Sequence, residues 1–259
     1  MTAKHIARKR FGQNFLVDDG IIAGIVAAIA PQREDNLVEI GPGLGALTAP
    51  LLARLERLQV VEIDRDLIAR LRETYAAEKL TIHEGDVLRF DFATLGSNLR
   101  VAGNLPYNIS TPLLFRFAEF SDSIRDVHVM LQREVVERMV AAPGDSEFSR
   151  LSVMLQYRFD MEMLFEVPPE SFDPAPKVDS AVVRLTPLAP LPHPARDETV
   201  FSSVVARAFS QRRKTLRNTL KGVIADADFA RLDIDPGARA QELSVADFVR
   251  IADAVTSAV

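Results

Sequence analysis

Strands and helices alternate through the first half of this chain, and that alternation constrains the fold more than any other feature. NLVEIG, 36–41, is a short apolar run closed by glycine, and ALTAPLLARLERL, 46–58, has helical spacing. QVVEID, 59–64, predicts a second strand and a helix follows from about Asp66 to Ala77. KLTIHEGD, 79–86, and LRVAGNL, 99–105, predict a third and a fourth strand. TPLLFRFAEF then reads as a helix with Pro112 in its first turn, where a missing N–H costs nothing. DVHVML, 126–131, is a fifth strand with the helix REVVERMVAA behind it. Units of this length and order build a parallel sheet, so the predicted class is α/β with a doubly wound, mostly parallel sheet.

The second half changes character. SRLSVMLQYRF, 149–159, reads as a helix. MEMLFEV, 161–167, and DSAVVRL, 179–185, read as strands joined by the proline-rich PPESFDPAPK. Two strands linked without a helix can form an antiparallel edge on a parallel sheet. TPLAPLPHPARD carries Pro187, Pro190, Pro192 and Pro194 and reads as a linker. Beyond it the pattern is helical, and Ser244 with Asp247 has capping-box spacing before the last helix. The expected organisation is residues 1–186 as an α/β domain with a basic N-terminal segment, 187–197 as linker and 198–259 as a small all-helical domain.

The absence of cysteine excludes disulfides, thiolate metal sites and cysteine nucleophiles. The histidines His5, His83, His128 and His193 lie far apart without ligand spacing, so no metal is expected. IIAGIVAAIA, 21–30, imitates a signal peptide, but Asp18 and Asp19 precede it and Pro31 follows, and ten apolar residues are too few to span a bilayer. A buried helix is the reading, with no membrane partner and a cytoplasmic location. Net charge is −5, which alone argues against a nucleic-acid partner. Its distribution argues the other way. Lys4, Arg8, Lys9 and Arg10 crowd the first ten residues, and Arg207, Arg212, Arg213, Lys214, Arg217 and Lys221 crowd 207–221, with no acid in either stretch. Such segregation suits a phosphate backbone, although solvated helix faces also carry such runs.

EIGPGLG, 39–45, joins the first strand to the first helix of the alternating series. Glycines there let the backbone turn sharply and approach a ligand at the switch point of a doubly wound sheet. The spacing G-x-G-x-G of Gly41, Gly43 and Gly45 is not that of dinucleotide enzymes, and alone it also fits a plain tight turn. Glu62 follows Gly41 by 21 residues, at a strand end, where a carboxylate can accept from both ribose hydroxyls. Asp86 ends the third strand, where a carboxylate can accept from the exocyclic amine of an adenine. These acids indicate a nucleoside without choosing between cofactors.

The fourth strand ends in Asn104-Leu105-Pro106-Tyr107. The N6 amine of adenine is a poor nucleophile because its lone pair is delocalised into the ring. Two acceptors at its hydrogens favour a pyramidal, more nucleophilic nitrogen. The Asn104 side-chain oxygen is one, and the Leu105 carbonyl, constrained by Pro106, is the other. Tyr107 can stack on the base, which must first leave any helical stack. No general base is demanded.

Asn-Leu-Pro-Tyr in this position resembles the adenine-N6 methyltransferases that use S-adenosylmethionine. RKRFGQNFL, EIGPGLGALT, VEIDRD, GNLPYNISTPLLF, RLSVMLQY, VPPESFDPAPKVDSAVVRL and AFSQRRKTLRN extend the likeness to the bacterial small-subunit (16S) rRNA adenine-N6,N6-dimethyltransferases, the kasugamycin-resistance family. The resemblance implies a seven-stranded class I methyltransferase sheet with a helical C-terminal domain. It implies dimethylation of N6 on each of two adjacent adenosines in the 3′-terminal hairpin loop of 16S rRNA, within an immature small subunit; the chain is expected to act as a monomer. Carried onto this chain, Asn14, Leu16, Gly41, Gly43, Glu62, Asp86 and Asn104 line the cofactor site, and Ile63 and Val87 flank the cofactor adenine. Asn104 also faces the target amine. Phe172 matches a family aromatic that covers the target base opposite Tyr107. Both basic stretches, Arg8 to Arg10 and Arg207 to Lys221, are expected on rRNA phosphates.

Two other functions compete. An NAD-dependent oxidoreductase explains Gly41–Gly45 and Glu62 but leaves Asn104–Tyr107 and the basic stretch without a role. A non-catalytic assembly factor on the same fold has no need of an intact Asn-Leu-Pro-Tyr.

Overall fold

The structure is a computed structural model that describes residues 13–257. In chain order the elements are β1 (Phe15–Leu16), α1 (Asp19–Ile29), β2 (Leu37–Ile40), α2 (Thr48–Leu52), β3 (Leu58–Glu62), α3 (Arg65–Thr74), β4 (Leu80–Glu84), β5 (Leu99–Asn104), α4 (Ser110–Glu119), β6 (Ile124–Gln132) and α5 (Arg133–Val140). Then come α6 (Arg150–Gln156), β7 (Phe159–Val167), β8 (Phe172–Asp173), β9 (Ser180–Pro187), α7 (Glu198–Ala208), α8 (Leu216–Thr219), α9 (Asp226–Arg231) and α10 (Val245–Thr256).

Seven strands form one sheet in the order β4-β3-β2-β5-β6-β9-β7. β2 is parallel to β3 and β5, β3 to β4, and β5 to β6, whereas β9 runs antiparallel to β6. All four residues of β2 are buried, the pattern of a strand covered on both faces. From β2 the chain winds one way to β3 and β4, then returns to place β5 on β2's other side. The strand order therefore reverses between β2 and β5, and a ligand crevice is expected outside their carboxyl ends. Gly41 follows β2 there, and Asn104 ends β5. Gly103 makes that closeness possible: a Cβ on it would lie 2.6 Å from the Ile40 carbonyl oxygen.

Local chemistry sets the helix ends. Asp18 caps α1 by accepting from the Gly20 and Ile21 amides, and Ala30 closes it in the left-handed region. The predicted helix 46–58 is cut to Thr48–Leu52. Leu58 must be buried at the head of β3, so the chain leaves the helix early and Glu56 N–H donates to the Arg33 carbonyl instead.

The chain divides into two compact units. The first runs through Val136 and adds Met161–Pro187; the second joins Glu137–Asp160 to Leu188–Val259. The expected boundaries at 186 and 198 therefore miss a segment. Phe148, Val153 and Tyr157 share a buried cluster with Phe201, Val204 and Phe248 of the C-terminal helices, because their apolar faces find cover there. The expected linker also takes part. Leu191 and Ala195 pack on that cluster, and Ala195 N–H donates to the Tyr157 hydroxyl at 3.1 Å. Among the described residues no helix is long and apolar enough to cross a membrane.

Candidate active site

Everything in this site belongs to the first unit and begins at the ends of β2 and β5. Gly41 has φ +62° and a Cβ on it would meet nothing within 4 Å, so the loop opens onto free space at the crevice. Gly43, at φ +58°, leaves room for the Phe15 ring, which a Cβ would approach to 3.2 Å. Positive φ at both positions favours glycine.

Glu62 closes β3 at 6% exposure. Its Oε1 accepts from the Ile63 and Asp64 amides, each at 2.8 Å. Burial pushes its pKa up, and backbone N–H groups of Asp64, Ile63 and Gly43 oppose that shift. The carboxylate is thus held in one orientation at the crevice. Glu39, inside β2, is a residue that the sequence reading missed. It is buried, accepts from the Thr48 hydroxyl at 2.7 Å, and is pushed up to about 7 by burial, with the nearby Glu62 charge adding to the rise. An acid within the apolar run LVEI was the available signal, since burying a carboxylate is costly. Asp86, just past β4, caps the following turn through the Leu88 amide at 3.0 Å. The plain turn role is therefore real, and Asp86 still lines the crevice.

The tetrapeptide after β5 is pinned at several points. The Asn104 Nδ2 donates to the Asn14 carbonyl at 2.9 Å. A carbonyl can only accept, so this bond fixes the amide and turns Oδ1 away from Asn14. Leu105 is buried, and its N–H donates to the Met130 carbonyl of β6 at 3.1 Å. The Pro106 carbonyl receives the Ile109 N–H and the Ser110 hydroxyl, both at 3.1 Å. The Tyr107 hydroxyl pairs with Ser180 Oγ at 2.7 Å. Burial pushes the Tyr107 phenol up, with Ser180 opposing, so the ring is neutral at physiological pH.

These groups face one cavity of about 270 Å³. Asn14, Leu16, Gly41, Gly43, Glu62 and Ile63 line it, and so do Asp86, Val87 and Asn104 to Tyr107. Ile63 is 48% exposed, an open apolar face at the wall. Gly85, with no atom within 4 Å of a built Cβ, gives the cavity a second open floor. The open glycines, buried carboxylates and apolar walls fit a nucleoside cofactor.

A family model described as ribosomal RNA adenine dimethylase matches residues 4–257. The chain belongs to that family. A curated relative from Dechloromonas aromatica (strain RCB), called ribosomal RNA small subunit methyltransferase A, is 61% identical over 96% of this chain and 98% of its own length. One of the same name from Thiobacillus denitrificans (strain ATCC 25259 / T1) is 62% identical over 95% and 97%. The crystal structure of a dimethyladenosine transferase from Plasmodium falciparum superposes with a TM-score of 0.77 at 27% identity, covering 92% of this chain and 95% of that one.

One expectation for this adenine dimethylase fails on geometry. Phe172 does not line the cavity; it is 4% exposed and packs in the apolar cluster with Leu16, Met130 and Val182. β8 pairs with β1, setting Leu16 opposite Phe172, and the ring is buried in that core. Among the described residues, Phe15 is the aromatic that lines the cavity besides Tyr107.

The basic residues of the second unit do not form one uniform surface. Arg207 is a strut: its guanidinium donates to the Thr219 carbonyl at 3.2 Å and the Lys221 carbonyl at 2.8 Å. Arg212 donates to the Ser146 carbonyl, and Arg217 pairs with Asp226 at 3.3 Å. Arg212, Arg213 and Lys214 are exposed together in the turn between α7 and α8, and Lys221 is exposed just past α8. Arg8, Lys9 and Arg10 lie outside the described residues.

Proposed function

We propose that this rRNA adenine dimethylase acts on two adjacent adenosines in the 3′-terminal hairpin loop of 16S rRNA. It places two methyl groups on the N6 of each, within an immature small subunit, as a cytoplasmic monomer. The observation that carries the reading is the Asn104 amide, fixed by Asn14 beside the glycine loop in a single cavity.

Bound S-adenosylmethionine supplies a methyl group activated by its sulfonium. The chain's residues hold and orient. Gly41 and Gly43 admit the cofactor against the loop, with Asn14 and Leu16 at its flank. Glu62 accepts from the ribose hydroxyls, Asp86 accepts from the adenine amine, and Ile63 and Val87 bracket the ring. The Asn104 oxygen and the Leu105 carbonyl accept the two N–H groups of the target amine, which localises its lone pair on nitrogen. Tyr107 stacks on the extruded base, a contact worth about 1–3 kcal/mol. The acceleration comes from position and electrostatics, and no side chain removes a proton before transfer.

Exposed Arg212, Arg213 and Lys214 contact rRNA phosphates, with Arg217, Lys221 and the N-terminal Arg8, Lys9 and Arg10 extending the contact. Arg207 acts by holding the α8 end in place. Replacing Arg212, Arg213 and Lys214 by alanine is expected to weaken binding to small subunits and to flatten log affinity against log salt by about two units. An unchanged slope contradicts the assignment.

A further inference from the structure

Ser180 does not line the cavity and has no part in the chemistry described above, yet its hydroxyl is fully buried against Tyr107. It opens β9, opposite Gln132 of β6. The same strand β6 receives the Leu105 N–H through its Met130 carbonyl. One strand thus fixes both the peptide that carries Tyr107 and the residue that holds the far end of the Tyr107 ring.

We infer that Ser180 is a positioning residue, a tether that holds the Tyr107 ring at the place where the target base stacks. The backbone of Tyr107 is already fixed by the turn bonds to the Pro106 carbonyl. The remaining freedom is rotation about χ1, which would swing the ring through the cavity. The hydroxyl lies on the χ2 axis, so a bond there stops the swing and still permits ring spin. A stacking platform fixed before the base arrives loses less conformational freedom on binding. Apolar packing alone could hold a ring, but a 2.7 Å bond between the Tyr107 hydroxyl and the buried Ser180 hydroxyl sets one position.

The inference rests on the reading that Tyr107 stacks on the target adenine. The test is a cycle of Ser180→Ala, Tyr107→Phe and the double variant, with Tyr107→Ala alongside. Each full-length protein is assayed for methyl transfer to small subunits lacking the modification, for S-adenosylmethionine binding and for thermal stability. A tether predicts the same loss of about tenfold in kcat/KM for both single variants and for the double, because any one change releases the ring. Cofactor affinity stays at the wild-type level. Stability behaves differently: each single variant leaves one hydroxyl of the pair without its partner, and the double variant recovers because both are gone. Activity that recovers with stability in the double variant overturns the tether, as do single variants of wild-type activity. If Tyr107→Ala itself keeps wild-type activity, the stacking reading fails and the tether with it. If Tyr107→Ala is inactive while Ser180→Ala and Tyr107→Phe are not, only the tether fails.

Discussion

Replacing Asn104 by alanine is expected to lower methyl transfer by about a hundredfold to a thousandfold, the range seen when one preorganised polar group is removed from a reacting centre. The variant should fold and still bind small subunits. The reason is the orientation of one amide. The Asn14 carbonyl takes Nδ2, and Oδ1 is left to accept from an amine that enters the cavity. Alanine removes that acceptor while leaving the β5 ladder, the Leu105 bond to Met130 and the Tyr107 bond to Ser180 in place. The loss should appear in kcat, because the interaction strengthens only as the nitrogen becomes pyramidal. Wild-type turnover would remove the mechanism.

The largest expected effect on stability lies at the opposite end of β5. Arg100 is buried, and its guanidinium reaches Asp126 at 2.9–3.1 Å, Asp35 at 2.6 Å and the Ile29 carbonyl at 2.6 Å. Arg125 also pairs with Asp35, at 3.1 Å. Arg100→Met strips the buried carboxylates of their main partner and is expected to cost about 3–5 kcal/mol of unfolding free energy near neutral pH. Burial alone would raise both acids. The Gln32 amide with Arg100 outweighs it at Asp35, and His128 with Arg100 outweighs it at Asp126, so both are held below the ordinary value of 3.8. A carboxylate so depressed stabilises the fold above its unfolded-state value and loses that contribution as pH falls through its folded value. The gap between wild type and Arg100→Met in urea denaturation should therefore narrow on acidification below that value. A gap under about 1 kcal/mol near neutrality would show that the network does not hold β5.

Much of this molecule is legible from local pattern. Apolar runs closed by Gly41, Asp86 and Asn104 announce strands whose carboxyl ends share one edge, and a parallel sheet brings such ends together whatever the intervening helices do. That is why residues as distant as Gly41, Glu62, Asp86 and Asn104 line one cavity. What escapes is set by contacts between segments without a local signature. Nothing near Phe172 says whether its ring faces a cavity or a core; the pairing of β8 with β1 decides. The partners of Arg100 are 65 and 26 residues away, so LRVAGNL reads only as a strand. Arg207 looks identical to Arg213 in a list of charges and both are exposed, yet the Arg207 guanidinium is held on the Thr219 and Lys221 carbonyls. Residues 137–160 join the C-terminal unit because their apolar faces are covered there, and no change of composition marks the boundary.

The proposed activity is methylation of two adjacent adenosines near the 3′ end of 16S rRNA. The most direct measurement incubates the protein and S-adenosylmethionine with small subunits lacking the modification, then maps methyl groups on the 3′-terminal rRNA fragment by mass spectrometry. Two neighbouring adenosines are expected, each carrying two methyl groups on N6, and none in reactions with Asn104→Ala at matched times. Methylation at another position, on large-subunit rRNA instead, or nowhere would contradict it.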